Sequence, residues 1–194
     1  LLVGIILARL LLPRQFGLIG MITILIAISQ SFVDSGFGKA LIRKKTCTQT
    51  DYSTVFYFNL AVSLLFYLLL FFGAPAVSSF YNEPQLKSII QILGIGIIIN
   101  SFSIVQRTQL IKLIEFKLQT KISILVAIGS GIVSIIMAFS GFGVWSLITG
   151  MLVTYTLRTL LLWFWNKWKP SPIFSVSSFK EMFSFGSKLL IISL

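Results

Sequence analysis

The sequence predicts an all-α polytopic membrane protein, and three observations carry that reading. Of its 194 residues, 56% are hydrophobic and only 11% charged, where a soluble domain is about a quarter charged. The mean hydropathy is +0.96. The apolar residues come in runs of roughly twenty, the length a helix needs to cross about 30 Å of hydrocarbon. The basic residues cluster in alternate gaps between those runs.

The spans are expected, in order, at about 1–12, 16–38, 52–74, 88–106, 122–140 and 144–165. Together they read as one transmembrane bundle over 1–165, followed by an interfacial connector at 166–184. A further span starts at 185 and runs to 194. The chain begins at Leu1 without a methionine, partway through an apolar run, and stops at Leu194 soon after another begins. It is therefore read as part of a longer protein. The first run is not expected to be a signal peptide, because Pro13-Arg14 rather than a small-residue cleavage site follows it.

The formal charge of +11 comes from 16 Lys and Arg against 5 Asp and Glu. Lys39, Arg43, Lys44 and Lys45 follow the second span, Arg107, Lys112, Lys117 and Lys121 the fourth, and Lys167, Lys169, Lys180 and Lys188 the sixth. The opposite gaps hold Arg14 and Lys87, while Arg9 and Arg158 lie inside spans. The positive-inside rule makes the three basic gaps cytoplasmic, and the N-terminus with them. Topology thus absorbs most of the charge, and nucleic acid is not expected as a partner. Cys47 is the sole cysteine and histidine is absent. No metal cluster or nucleophile–base pair can be assembled, so no catalytic residue, metal or cofactor is expected and the chain does not read as an enzyme.

Two gaps look structured. PAVSSFYNEPQLK at 75–87 suits the outer interface, with Phe80 and Tyr81 at headgroup level. The 166–184 segment, flanked by Trp163 and Trp165 and containing Trp168, Phe174, Phe179 and Phe183, suits the inner leaflet surface.

Polar residues inside the spans carry the functional signal. Gly20, Thr23, Ala27, Gln30, Asp34 and Gly38 step by three or four along the second span. Tyr52, Phe56, Asn59, Ser63 and Tyr67 do so in the third, and Gly96, Asn100, Ser103 and Arg107 in the fourth. Ser123, Ala127, Ser130, Ser134 and Ala138 form an uncharged stripe in the fifth, which reads as close helix packing. Ser146, Gly150, Thr154 and Arg158 line the sixth. Intramembrane charges usually face protein or water and mark a pathway. Asp34, Arg107 and Arg9 lie near span ends, so both a cavity-facing and a snorkelling position stay open for them. Arg158 lies deeper and is read as cavity-facing. A cavity of mostly positive charge favours an anionic or phosphate-bearing cargo, because the guanidinium fork donates two parallel hydrogen bonds and keeps its charge.

Several stretches resemble a known family. ILARLLLPRQFGLIGM, SFVDSGFGKALIRKK and TDYSTVF in the first 56 residues, APAVSSFYNEPQL at 74–86, IEFKLQTK at 114–121, SGFGVWSLITG at 140–150, and WKPSPIFS with FKEMFSFGSKLL further on resemble the Wzx-type polysaccharide and O-antigen exporters. Similarity is greatest to the branch of colanic acid and teichuronic acid exporters. Each motif is weak alone, and their ordered series is what carries the likeness.

The resemblance implies membership of the multidrug/oligosaccharidyl-lipid/polysaccharide superfamily. That implies a transporter of two six-helix bundles, twelve or more helices, facing each other across a central cavity. This chain would supply most of the N-terminal bundle and the start of helix seven. The implied activity is movement of undecaprenyl-diphosphate-linked repeat units from the inner to the outer leaflet of the bacterial cytoplasmic membrane. Polysaccharide polymerases and glycosyltransferases are the implied protein partners. Related lipid II flippases carry diphosphate-binding arginines in helix one, to which Arg9 corresponds. The expected cavity set is Arg9, Arg158, Arg107, Asn59, Asn100 and Gln30, with Asp34 as the group that couples transport to protons or sodium. A lipid II flippase and a drug/cation antiporter are the alternatives within the superfamily. A non-transporting scaffold for polysaccharide-assembly enzymes is the alternative of another class.

Overall fold

The computed structural model describes residues 2–34 and 36–193, which form eight helices and no strand. They are α1 (Leu2–Leu10), α2 (Pro13–Asp34), α3 (Phe37–Arg43), α4 (Gln49–Phe80), α5 (Gln85–Lys112), α6 (Phe116–Phe139), α7 (Val144–Trp165) and α8 (Val176–Ser193). Leu1 and Leu194, the outer bounds of the expected first and last spans, lie outside the described residues. Five stretches among the described residues are long and apolar enough to cross a membrane, namely Pro13–Arg43, Gln49–Phe80, Gln85–Lys112, Phe116–Phe139 and Val144–Trp165. The chain is an all-helical, multi-pass membrane protein.

Local chemistry sets the helix boundaries. Pro13 opens α2 at a position where its missing N–H costs nothing, and the Gln15 side chain accepts from Leu12 N at 3.0 Å. Gly36, in the left-handed region at φ 68°, stands between α2 and α3. The expected unbroken span of 16–38 is therefore interrupted, and Gly38 belongs to a separate short helix. Thr48 and Asp51 start α4 with a reciprocal capping box. Thr48 Oγ1 accepts from Asp51 N at 3.2 Å, and Asp51 Oδ2 accepts from Thr48 N at 2.9 Å. Such caps contribute roughly 1 kcal/mol.

Several helices outrun the apolar runs that announce them. α4 has 32 residues and contains Pro75, so the expected outer-interface loop at 75–87 is helix at 75–80, in α4, and at 85–87, in α5. α5 continues to Lys112 and α6 begins at Phe116, which reduces the expected basic loop at 107–121 to a turn. Ile114 closes that turn at φ 59°. Within the expected connector, 166–175 is non-helical and 176–184 already belongs to α8.

α5 is the central helix. Its Leu86, Ile89, Ile90, Leu93 and Ile97 pack with Leu18, Ile22, Ile26 and Val33 of α2 and with Val144 and Ile148 of α7. α4 lies along α5, α6 lies along α7, and α1 lies on α6. Lipid tails solvate apolar side chains as well as another helix does, so close fit rather than water exclusion holds these contacts. Small residues provide the fit. A Cβ on Gly150 of α7 would strike Ser134 of α6, and one on Gly96 of α5 would come within 2.6 Å of the Tyr155 ring on α7.

The connector is fastened to the start of α4. Ser171 N donates to Ser53 Oγ at 2.9 Å, Ser175 N to Thr54 Oγ1 at 3.0 Å, and Trp168 Nε1 to Gln49 Oε1 at 2.6 Å. Lys44 ties the α3–α4 loop to α8, reaching Asp51 at 3.0 Å and Glu181 at 2.9 Å. Burial alone would lower the Lys44 ammonium, but hydrogen bonds to Glu181 and Asp51 more than offset it and hold it above the usual lysine value.

Candidate functional site

The polar faces of α2 and α5 meet near the end of the bundle that carries most of the basic residues. There they line a cavity of about 480 Å³ that includes Gln30, Asp34, Lys39, Asn100, Arg107 and Thr108. The register of the helices builds it. Gln30 and Asp34 are one turn apart on α2, as are Asn100, Ser103 and Arg107 along α5. Asn100 Nδ2 donates to Gln30 Oε1 at 2.6 Å and joins the two faces. Ser103 Oγ donates to the Asn100 carbonyl at 2.7 Å.

Gly38 lets the charged groups approach. A Cβ there would stand 3.1 Å from Asp34 Oδ1 and 3.1 Å from Thr108 Oγ1. The Asp34 carboxylate lies within electrostatic reach of Arg107 and Lys39. A negative group thus sits in the cavity beside two positive ones.

A second, smaller cavity of about 130 Å³ lies between α5, α6 and α7, walled by Arg107, Gln119, Ser123, Arg158 and apolar neighbours. Arg107 lines both cavities. Arg158 is half-buried and feels the charge of Arg107. Two buried amide nitrogens, Gln30 Nε2 and Gln119 Nε2, have no protein hydrogen-bond acceptor. Two unmet amide donors and two guanidiniums therefore belong to residues along the line from Gln30 to Arg158. An unmet buried donor costs roughly 1–3 kcal/mol, so such a line suits a ligand rich in anionic oxygen.

Five of the seven residues singled out from sequence come together here, namely Gln30, Asp34, Asn100, Arg107 and Arg158. Asn59 does not join them. It is fully buried on α4, and neither its Oδ1 nor its Nδ2 has a protein partner. Arg9 lies elsewhere too, exposed in the last turn of α1. Arg14, one turn beyond, is bound to Glu83 at 2.8 Å.

Lys39, read from sequence only as a loop charge, and Thr108 and Gln119 were outside the expected cavity set because they fall in segments read as loops. Gln119 had a signal nonetheless, since it extends the Ser123–Ala127 stripe back by one helical step. Among the described residues no group of three or more His, Cys, Asp or Glu could hold a metal ion.

The described residues thus form an all-helical multi-pass membrane protein with a cationic, polar cleft between its helices. A family model described as "Polysaccharide biosynthesis protein" matches residues 6–194, and the chain belongs to that family. The resemblance to polysaccharide exporters is borne out at that level. The chain is 28% identical over 161 residues to the teichuronic acid biosynthesis protein TuaB of Bacillus subtilis (strain 168), covering 82% of this chain and 33% of that protein. It is 25% identical over 183 residues to the succinoglycan biosynthesis transport protein ExoT of Rhizobium meliloti (strain 1021), covering 93% and 37%. It is 23% identical over 186 residues to the lipopolysaccharide biosynthesis protein WzxC of Escherichia coli (strain K12), covering 95% and 38%. The chain thus spans little more than a third of the length of these relatives. No solved structure matches it.

Proposed function

We propose that the chain is the N-terminal bundle, over 1–165, of a flippase. The whole protein would carry undecaprenyl-diphosphate-linked oligosaccharide repeat units from the inner to the outer leaflet of the bacterial cytoplasmic membrane. Its N-terminus and the three basic gaps would face the cytoplasm, with 166–184 leading to a second bundle across a central cavity. The observation that carries this reading is Arg107, which lines two cavities, one with Asp34 and Lys39 and the other with Arg158.

A diphosphate cannot enter hydrocarbon unaided, because burying an unpaired charge is prohibitive. In this proposal Arg107 and Arg158 supply its partners. Gln30, Asn100 and Gln119 supply further hydrogen bonds, while the prenyl tail stays in lipid. Two bundles rocking about the site would expose it to each side in turn. A membrane potential negative inside favours outward movement of an anion by about 2.3 kcal/mol per charge per 100 mV. Asp34 competes with cargo for Arg107 and Lys39, which is how a proton or sodium ion on its carboxylate would couple to transport. A drug/cation antiporter fits less well, since the cleft's excess charge repels cations.

Deleting the gene tests the reading. Lipid-linked repeat units accumulate in the inner leaflet and surface polysaccharide is lost, with rescue by the full-length protein. Normal translocation in the deletion strain would overturn it, and accumulation of lipid II instead would reassign the cargo.

A further inference from the structure

A second site lies at the opposite end of the bundle. Arg14, in the first turn of α2, donates from Nη2 to both carboxylate oxygens of Glu83 at 2.8 Å. Its side chain is 75% exposed and that of Glu83 21%. Glu83 is held against the end of α4, with its N–H donating to the Ser78 carbonyl at 3.1 Å and Ser78 Oγ donating to the Glu83 carbonyl at 3.0 Å.

The same face of α2 leads from Arg14 toward the membrane interior. Gly17, Met21 and Ile24 follow it at three, seven and ten residues, the spacing of one helix face. Met21, Ile24 and Leu25 then meet Ala76, Val77 and Phe80 of α4, and Tyr81 just beyond it, around an apolar cavity of about 400 Å³. Between the ion pair and this cavity a Cβ on Gly17 would touch nothing within 4 Å. Open space at Gly17 therefore lies on the same helix face, between the paired cation and anion and the apolar seat.

We propose that this is a site for a phospholipid whose headgroup carries a phosphate and a primary ammonium, of the phosphatidylethanolamine kind. One hydrocarbon chain occupies the α2/α4 cavity, the phosphate meets Arg14, and the ammonium meets Glu83. The charge pattern selects this occupant. An anionic headgroup gains Arg14 but brings its charge against Glu83. A choline headgroup has no N–H to give the carboxylate. Arg14 and Glu83 already pair with each other, and a zwitterion with a primary amine adds a charge-assisted hydrogen bond to each without leaving a net charge at the pair, while its chain covers apolar surface that faces lipid in any case.

The test uses the full-length protein purified from membranes, delipidated, and titrated by native mass spectrometry with phosphatidylethanolamine, phosphatidylcholine or phosphatidylglycerol. Phosphatidylethanolamine should be retained at least tenfold more strongly than the other two. That preference should vanish in the Arg14→Gln/Glu83→Gln double variant. Ala76→Trp and Gly17→Leu, both at exposed positions free of core packing, should lower its retention by a similar factor without unfolding the protein. A photoactivatable phosphatidylethanolamine should label α2 and α4 peptides. Equal retention of the three lipids, a preference for phosphatidylglycerol, unchanged retention in the variants, or labelling away from α2 and α4 would each overturn the proposal.

Discussion

Arg107 and Arg158, carried by α5 and α7, line one cavity of about 130 Å³, and no carboxylate stands among the residues that wall it. Two guanidiniums lining one cavity repel each other, and holding the half-buried Arg158 in a membrane-spanning helix is costly. A ligand that supplies negative charge relieves both costs. Asp34, in the neighbouring cavity, reaches Arg107 but does not line the cavity that holds Arg158.

Asp34→Asn tests the coupling role. The substitution keeps the shape and removes the charge near Arg107 and Lys39. Export measured against external pH and sodium should lose its dependence on one of them while the protein remains folded. Unchanged export with unchanged ion dependence would remove Asp34 from the mechanism.

Ile114 tests the turn between α5 and α6. A β-branched residue at φ 59° is strained by about 1–2 kcal/mol, and Ile114 is 68% exposed, so little packing is lost on removing its side chain. Ile114→Gly should raise the thermal midpoint, by the order of 1 kcal/mol less the extra entropy of an unfolded glycine. Ile114→Pro, which cannot adopt that φ, should lower it sharply.

Lys44 tests the fastening of α8. Its partners hold the ammonium above the usual lysine value. The stabilisation is therefore fully present below the unfolded pKa and is lost only as pH rises through the higher folded one. Lys44→Met should lower the melting midpoint by a few degrees. The difference from the parent should stay flat from about pH 7 to 9, below the usual lysine pKa of about 10.4, and shrink only in stronger alkali. A difference that disappears near neutral pH would contradict the assignment.

The fold class was legible because hydropathy and loop charge are read by the bilayer itself. Long apolar runs must be helices there, and Lys and Arg choose a side. Helix ends were less legible. Hydropathy reports the hydrocarbon layer, whereas α4 runs on through Pro75 to Phe80 and α5 to Lys112, past the residues that mark that layer. The site was legible where polar residues recur at helical spacing, as with Gln30 and Asp34 or Asn100 and Arg107. Spacing says which residues share a face but not which faces meet. Asn59 belongs to an equally regular stripe, yet it is buried away from the cavities. Arg9 lies on a helix that packs on α6 rather than on α2 or α5.

The most direct measurement is leaflet-resolved assay of lipid-linked repeat units in cells carrying Arg158→Gln, Arg158→Lys or Arg107→Gln at equal membrane abundance. Hydrogen bonds to charged groups contribute about 1.5–3 kcal/mol, or roughly tenfold and upward in transport. The two glutamine variants should hold the repeat units in the inner leaflet, with export reduced by that factor or more. Arg158→Lys, which keeps the charge and loses the planar fork, should fall between them and the parent. Parental export in both glutamine variants would contradict a role for this cavity in carrying the diphosphate.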